Sequence, residues 1–131
     1  MALLWLYAPL FELFPFPYNL IGIALFLFGM GMAFLIAIKF KQVGTNIRAF
    51  QKPDILVTDG LFAISRNPIY LGFVIALVGV ALTLNNLSSL FVAVAFFVIA
   101  DRWYIPSEET AMAEQFGDQY ENYKQRTRRW L

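Results

Sequence analysis

The chain has 131 residues, 60% hydrophobic and 18% aromatic, with charged residues at only 15% and a formal net charge of +1. Soluble domains carry about a quarter charged residues, and long stretches here offer no polar shell, so the composition is that of an integral membrane protein, one domain over residues 1–131. The small net charge argues against a nucleic-acid partner, which needs a dense basic surface, and the absence of cysteine and histidine removes disulfides, thiolate and imidazole catalysis and most zinc and haem ligand sets.

The fold class that follows is an all-α membrane protein of about four transmembrane helices, with a cytoplasmic loop and a C-terminal amphipathic helix. Residues 1–16 hold a short apolar run broken by Pro9 and Glu12. That run crosses a thin bilayer, re-enters, or lies at the interface. With no basic residue before it and no small-residue cleavage pattern after it, it does not read as a secretory signal peptide. Residues 17–40 form the clearest span, long enough for about 30 Å of hydrocarbon at 1.5 Å per residue. Gly29, Ala33 and Ala37 fall on it at four-residue spacing, and Gly72 and Ala76 repeat the pattern in the next span. Small residues so spaced let membrane helices approach closely.

Residues 41–68 are long for a simple connection. The Thr58-Asp59-Gly60 turn between two apolar strings suggests a small β-hairpin, or else two segments dipping into the interface. Residues 69–84 and 87–105 are shorter spans with interfacial aromatics at their ends, Tyr70 on one, Trp103 and Tyr104 on the other. Residues 106–131 are expected to form one amphipathic helix: Pro106 precedes it, Ser107 caps it, and Glu108 and Glu109 lie in its first turn, where the dipole favours acids. Met112, Phe116, Tyr120 and Tyr123 give it an apolar stripe. The closing Arg126, Arg128, Arg129 and Trp130 suit anchoring at anionic headgroups.

Every basic residue lies either between the first long span and the next or at and beyond the last. The positive-inside rule makes that side cytoplasmic, with the C-terminus inside and the Asn85–Ser89 connection outside, in a cytoplasmic (inner) membrane. The two intervening legs are of similar length, so Arg66, Asn67 and Tyr70 return to the depth of Arg102, Glu108 and Glu109. An arginine, an amide, a phenol and two carboxylates at the mouth of an apolar bundle suit a zwitterion: arginine takes a carboxylate and glutamate an ammonium. Helix capping alone, or a local ion pair, accounts equally for the acidic pair.

SRNPIYLG (65–72), the Glu108-Glu109 pair, FGDQY (116–120), Tyr123 and the terminal RRWL together resemble the isoprenylcysteine carboxyl methyltransferase and phospholipid methyltransferase group of membrane enzymes. Gly44-Thr45-Asn46 and the LVTDG approach (56–60) are similar to its small bacterial members. The resemblance covers about the C-terminal two thirds of the chain. It implies S-adenosylmethionine as cofactor at the cytoplasmic mouth and a lipophilic methyl acceptor entering from the bilayer: an isoprenylcysteine-like carboxylate, a phospholipid or a small hydrophobic molecule. The family pattern RHPxYxG maps onto Arg66, Asn67, Pro68, Tyr70 and Gly72, and Asn67 stands where many members have His, so no imidazole chemistry is open to it.

On that resemblance Glu109, or else Glu108, holds the cofactor's ammonium. Arg66 or a C-terminal arginine such as Arg129 holds its carboxylate, and Asn67, Pro68, Tyr70, Leu71 and Gly72 shape the pocket. Methyl transfer from a sulfonium needs alignment and exclusion of water. A carboxylate or thiolate acceptor needs no base, whereas an amine or hydroxyl would call on Glu108, Glu109 or Tyr70 as catalytic group. The competing readings are a non-enzymatic membrane assembly or lipid-binding protein, and a membrane reductase on a related scaffold.

Overall fold

Two pairs of glycines bring the first two long helices into backbone contact. The computed structural model describes residues 14–44 and 54–131; the expectations for the run 2–13 and for loop residues 45–53 lie outside them. Helix α1 (Ile21–Val43) is entered through a short 3-10 turn at Tyr18–Leu20. Helix α2 (Pro68–Thr83) opens on a proline, whose missing N–H is harmless in a first turn. The two run antiparallel, Gly22 facing Gly79 and Gly29 facing Gly72. A Cβ on Gly72 would stand 2.6 Å from the Gly29 carbonyl oxygen, so no side chain fits at this contact.

In lipid no hydrophobic force joins helices, and such close backbone packing is what holds them. The expected contact residues Gly29, Gly72 and Ala76 do lie at this seam. Ala33, four residues after Gly29, also stands beside Gly72, and the fully buried line of α1 runs on at a spacing of seven through Gly22, Gly29 and Ile36, that of a coiled-coil seam. The outer faces stay apolar, with Leu27, Phe28, Phe34, Leu35, Phe91 and Val94 all exposed, as a lipid-facing surface requires.

Asn85 turns the chain with φ 52, and Asn86 caps helix α3 (Leu87–Ile99) by accepting from the Ser88 N–H at 2.8 Å and the Ser88 hydroxyl at 2.6 Å. Helix α3 does not stop at residue 105. It passes through a π-helical turn, Ala100–Tyr104, directly into α4 (Ile105–Phe116), giving one helix of 30 residues. The Ile105 N–H reaches back five residues to the Ala100 carbonyl. Pro106 is the physical reason: its ring collides with a carbonyl four residues back and its N–H is absent, and a widened turn just ahead of it makes room.

The expected helix start at Ser107 is therefore corrected. No side chain caps α4, and Glu108 and Glu109 sit inside a continuous helix, where the first-turn dipole does not explain them. Gly117, with φ 55, then breaks the chain before α5 (Asp118–Arg126), and Thr127 is extended. The single tail helix over 106–131 is thus replaced by the end of a long helix, a short helix and an extended end.

The hairpin expected around Asp59-Gly60 is also absent, since there is no strand among the described residues and Gly60–Ala63 is a 3-10 turn. Side chains dock this segment instead. Phe62 stacks on Phe40 at 5.4 Å and Asp59 pairs with Lys39 at 2.6 Å, which fixes it on the end of α1 with no need of a ladder. Two helices, Tyr18–Val43 and Leu87–Phe116, are long and apolar enough to cross a membrane, and Pro68–Thr83 is apolar but shorter.

Candidate functional site

Residues 65–67 lead into the first turn of α2 and lie against the extended C-terminal end. The Arg66 N–H donates to the Arg128 carbonyl at 2.9 Å, and the Arg129 carbonyl accepts from the Ser65 hydroxyl at 3.2 Å and from Asn67 Nδ2 at 3.1 Å. Below this junction, α5 presents Tyr120 and Tyr123, each 3% exposed. The Tyr123 hydroxyl donates to the Phe62 carbonyl at 2.6 Å. Burial, reinforced by Tyr120, pushes the Tyr123 phenol up to about 12. Burial raises Tyr120 too, with Glu109 adding to the effect and Arg66 opposing it.

The long helix supplies the carboxylates. Arg129 grips Glu109 with two nitrogens, Nε to Oε1 at 3.1 Å and Nη2 to Oε2 at 2.7 Å, in the forked geometry that makes arginine–carboxylate pairs strong. Arg66 Nη2 approaches Glu109 Oε1 at 3.3 Å from the other side. Arg129 Nη1 also reaches Asp101 Oδ1 at 3.3 Å, and the Trp130 indole N–H donates to that same oxygen at 2.9 Å. Glu109 holds Arg129 in its charged form more firmly than usual, against the cost of burial. Glu108 faces α2 instead, its Oε1 accepting from the Tyr70 hydroxyl at 2.9 Å.

Arg66, Glu109 and Arg129 are thus brought together, and Tyr70 joins Glu108. Pro68 is buried beneath them at the start of α2, and Leu71 is half-buried. Gly72 belongs to the helix contact. Arg102 turns outward, 77% exposed and 3.7 Å from Asp101. Asp101 was not singled out from the sequence, and Trp130 was read only as a headgroup anchor and as part of the RRWL ending; the one signal was that aromatic-basic ending after an otherwise polar tail.

Two groups stand out as candidate ligand contacts. Arg66 Nε and Nη1 are buried and have no hydrogen-bond partner, which for guanidinium donors is costly unless an acceptor arrives. Glu108 Oε1 meets a neutral phenol rather than a guanidinium. One recognises an anion and the other a cation, as the two charges of an amino acid require. The stacked rings of Tyr70 and Tyr104, 6.5 Å apart, add aromatic faces beside them.

The chain aligns with the protein-S-isoprenylcysteine O-methyltransferase of Schizosaccharomyces pombe at 39% identity over 77 residues, 57% of this chain and 32% of that one. It aligns with protein-S-isoprenylcysteine O-methyltransferase B of Arabidopsis thaliana at 43% identity over 74 residues, 54% of this chain and 36% of that one. The chain therefore spans about a third of the length of these relatives. Its fold superposes on a solved eukaryotic intramembrane Ras methyltransferase, isoprenylcysteine carboxyl methyltransferase, with a TM-score of 0.70 and 26% identity, covering 86% of this chain and 41% of that one. Residues 18–119 match the model of the phospholipid methyltransferase family, and the chain belongs to that family.

Proposed function

We propose that this chain is an S-adenosylmethionine-dependent methyltransferase acting on a lipophilic acceptor at the cytoplasmic face of an inner membrane. It forms a single domain over residues 1–131, with membrane helices contributed by α1, α2 and α3. The observation that carries the reading is the buried Arg66 guanidinium with two unpartnered nitrogens beside the Glu108–Glu109 pair.

When bound, the cofactor supplies a methyl group already activated on a sulfonium. The chain's own residues bind and orient. Arg66 offers Nε and Nη1 to a carboxylate, and Glu108, held by a neutral phenol, is the acid for an ammonium. Both Glu109 oxygens are taken by arginines, so of the two candidates for the ammonium Glu108 is favoured, and Glu109 holds Arg66 and Arg129 in place. Tyr70 fixes Glu108, and with Tyr104 it presents ring faces that attract a cation. Pro68, buried at the start of α2, and Leu71 would shape the pocket, and Gly72 lets α2 lie against α1.

A carboxylate acceptor, such as the isoprenylcysteine named for the relatives, needs only alignment and a dry site. A phospholipid amine or a small hydroxyl compound would need a base, and Glu108, paired with a neutral phenol rather than with two arginines, is the group able to act. The opposing reading is a non-enzymatic membrane protein in which the Arg66–Glu109–Arg129 cluster is only a lock. The double engagement of Glu109 is what favours it.

Binding decides between them. The purified protein in detergent is titrated with S-adenosylmethionine and S-adenosylhomocysteine, alongside Glu108→Gln and Tyr70→Phe. Saturable binding is expected, weakened about tenfold by Glu108→Gln, the equivalent of about 1.4 kcal/mol, and less by Tyr70→Phe. A folded protein that binds neither compound leaves the lock. Labelled cofactor incubated with membrane lipid extracts then identifies the acceptor by the product that carries the label.

A further inference from the structure

We propose that Asn67 is a positioning residue that clamps the C-terminal end and, through it, holds Arg129 between Glu109 and Asp101. The proposal deepens the methyltransferase reading above and rests on it for its ligand-binding arm. Asn67 follows Arg66 in the motif, and its Nδ2 donates to the Arg129 carbonyl at 3.1 Å. Ser65 donates to the same carbonyl at 3.2 Å and also accepts the Asn67 N–H at 3.1 Å. The Arg66 N–H takes the preceding carbonyl, that of Arg128, at 2.9 Å. Three consecutive residues thereby grip two consecutive carbonyls.

That grip sets where Arg129 begins. Its side chain must then span to Glu109 and Asp101 at once, while Trp130 donates to Asp101 and packs on Phe97 with ring centroids 4.7 Å apart. A side chain with several rotatable bonds keeps two acceptors only if its backbone is fixed, so a loose end lets Arg129 leave Glu109 and unbalances the charge facing Arg66. Asn makes this contact without titrating, so its donor carries no charge that changes over the physiological pH range.

The test uses the full chain in detergent, with Asn67→Leu to remove the donor at nearly constant volume and Asn67→His to restore an N–H. Hydrogen exchange of the Arg66 amide, taken relative to its intrinsic rate, reports opening of the grip. It is expected to quicken about fivefold in Asn67→Leu, the worth of one net hydrogen bond, and to recover in Asn67→His while α1 amides stay unchanged. Unchanged Arg66 exchange in Asn67→Leu, or equal acceleration throughout α1, overturns the clamp.

The second arm measures S-adenosylhomocysteine affinity in Asn67→Leu, Arg129→Gln and the double variant. Asn67→Leu is expected to weaken binding about fivefold alone, by that same hydrogen bond, and to add nothing in the Arg129→Gln background. Fully additive losses overturn action through Arg129. If the unaltered protein binds no S-adenosylhomocysteine, the methyltransferase reading fails, and the exchange arm still decides the clamp.

Discussion

Glu109→Gln removes one negative charge from between two guanidinium groups and changes the local shape very little. The Arg66 side chain is 10% exposed and Glu109 13%, and Glu109 is the only acid paired with Arg66 among the described residues, so the variant leaves a buried cation facing an amide. Removing one partner of a buried ion pair costs about 3–5 kcal/mol. The low end applies here because the Gln carbonyl still accepts from Arg66 Nη2. Arg129 is one-third exposed and keeps Asp101, so its share adds no more than about 1 kcal/mol. A loss near 3 kcal/mol corresponds to a fall in melting temperature of roughly 10 °C for a chain of this size. Thermal unfolding in detergent, followed by near-ultraviolet circular dichroism, reads it. The companion variant Arg66→Met/Glu109→Leu fills the same volume without charge and is expected to regain most of the stability while binding no zwitterion. A shift under about 3 °C for Glu109→Gln, or a double variant less stable than the single one, refutes the reasoning that Arg66 depends on Glu109 for its compensation.

Two further outcomes follow from the packing and from the tyrosines. Gly72→Val is expected to cost more than about 3 kcal/mol, beyond ordinary overpacking, because its side chain meets the Gly29 backbone rather than a movable group; Gly31→Ala, with nothing within 4 Å, is expected to gain about 0.5–1 kcal/mol by helix propensity. Equal melting temperatures for the two variants would show that α1 and α2 are not in backbone contact. Tyr123 has its phenol raised from 10.0 to about 12 by burial. A folded pKa above the unfolded one means that its contribution is complete below pH 10 and is lost as pH rises through about 12, since a phenolate cannot donate to the Phe62 carbonyl. Alkaline unfolding should therefore begin at lower temperature above pH 10 in the unaltered protein, and Tyr123→Phe, less stable at neutral pH, should show a weaker dependence there.

The apolar helices were legible because their lengths answer to lipid. The residues expected to span, 17–40 and 69–84, agree with α1 and α2 to within a few positions. Arg66, Tyr70, Glu108 and Glu109 could be singled out because charge in an oily chain demands a reason, and the hairpin of α2 and α3 returns them to one end. The pairing of these groups was not legible. Nothing local says that Glu108 faces Tyr70 while Glu109 faces two arginines, because that depends on how the helix is wound before them. By composition Arg129 and Trp130 suit headgroup anchors, and only the family resemblance offered Arg129 to the site, whereas Gly117 and the extended Thr127 turn the chain back across it. Pro106 misled most directly: a rule for isolated helices makes it a start signal, and here a π turn absorbs it within one helix.

That π turn also explains why a single arginine can hold two acids. Asp101 and Glu109 are eight residues apart, which in a regular α-helix places them about 80° from alignment after two turns, at roughly 100° per residue. A turn closed by a five-residue hydrogen bond takes up about one extra residue, so the pair behaves as if seven apart and falls within about 20° of one line. Both acids then face the C-terminal end, where the Arg129 guanidinium bridges them and Trp130 seals Asp101. The same adjustment carries Glu108 round toward α2 and Tyr70. Winding the helix as a continuous α-helix through residues 100–104 would undo both arrangements at once, so the turn that accommodates Pro106 is what divides the acidic pair between a carboxylate locked by two arginines and one that faces a phenol.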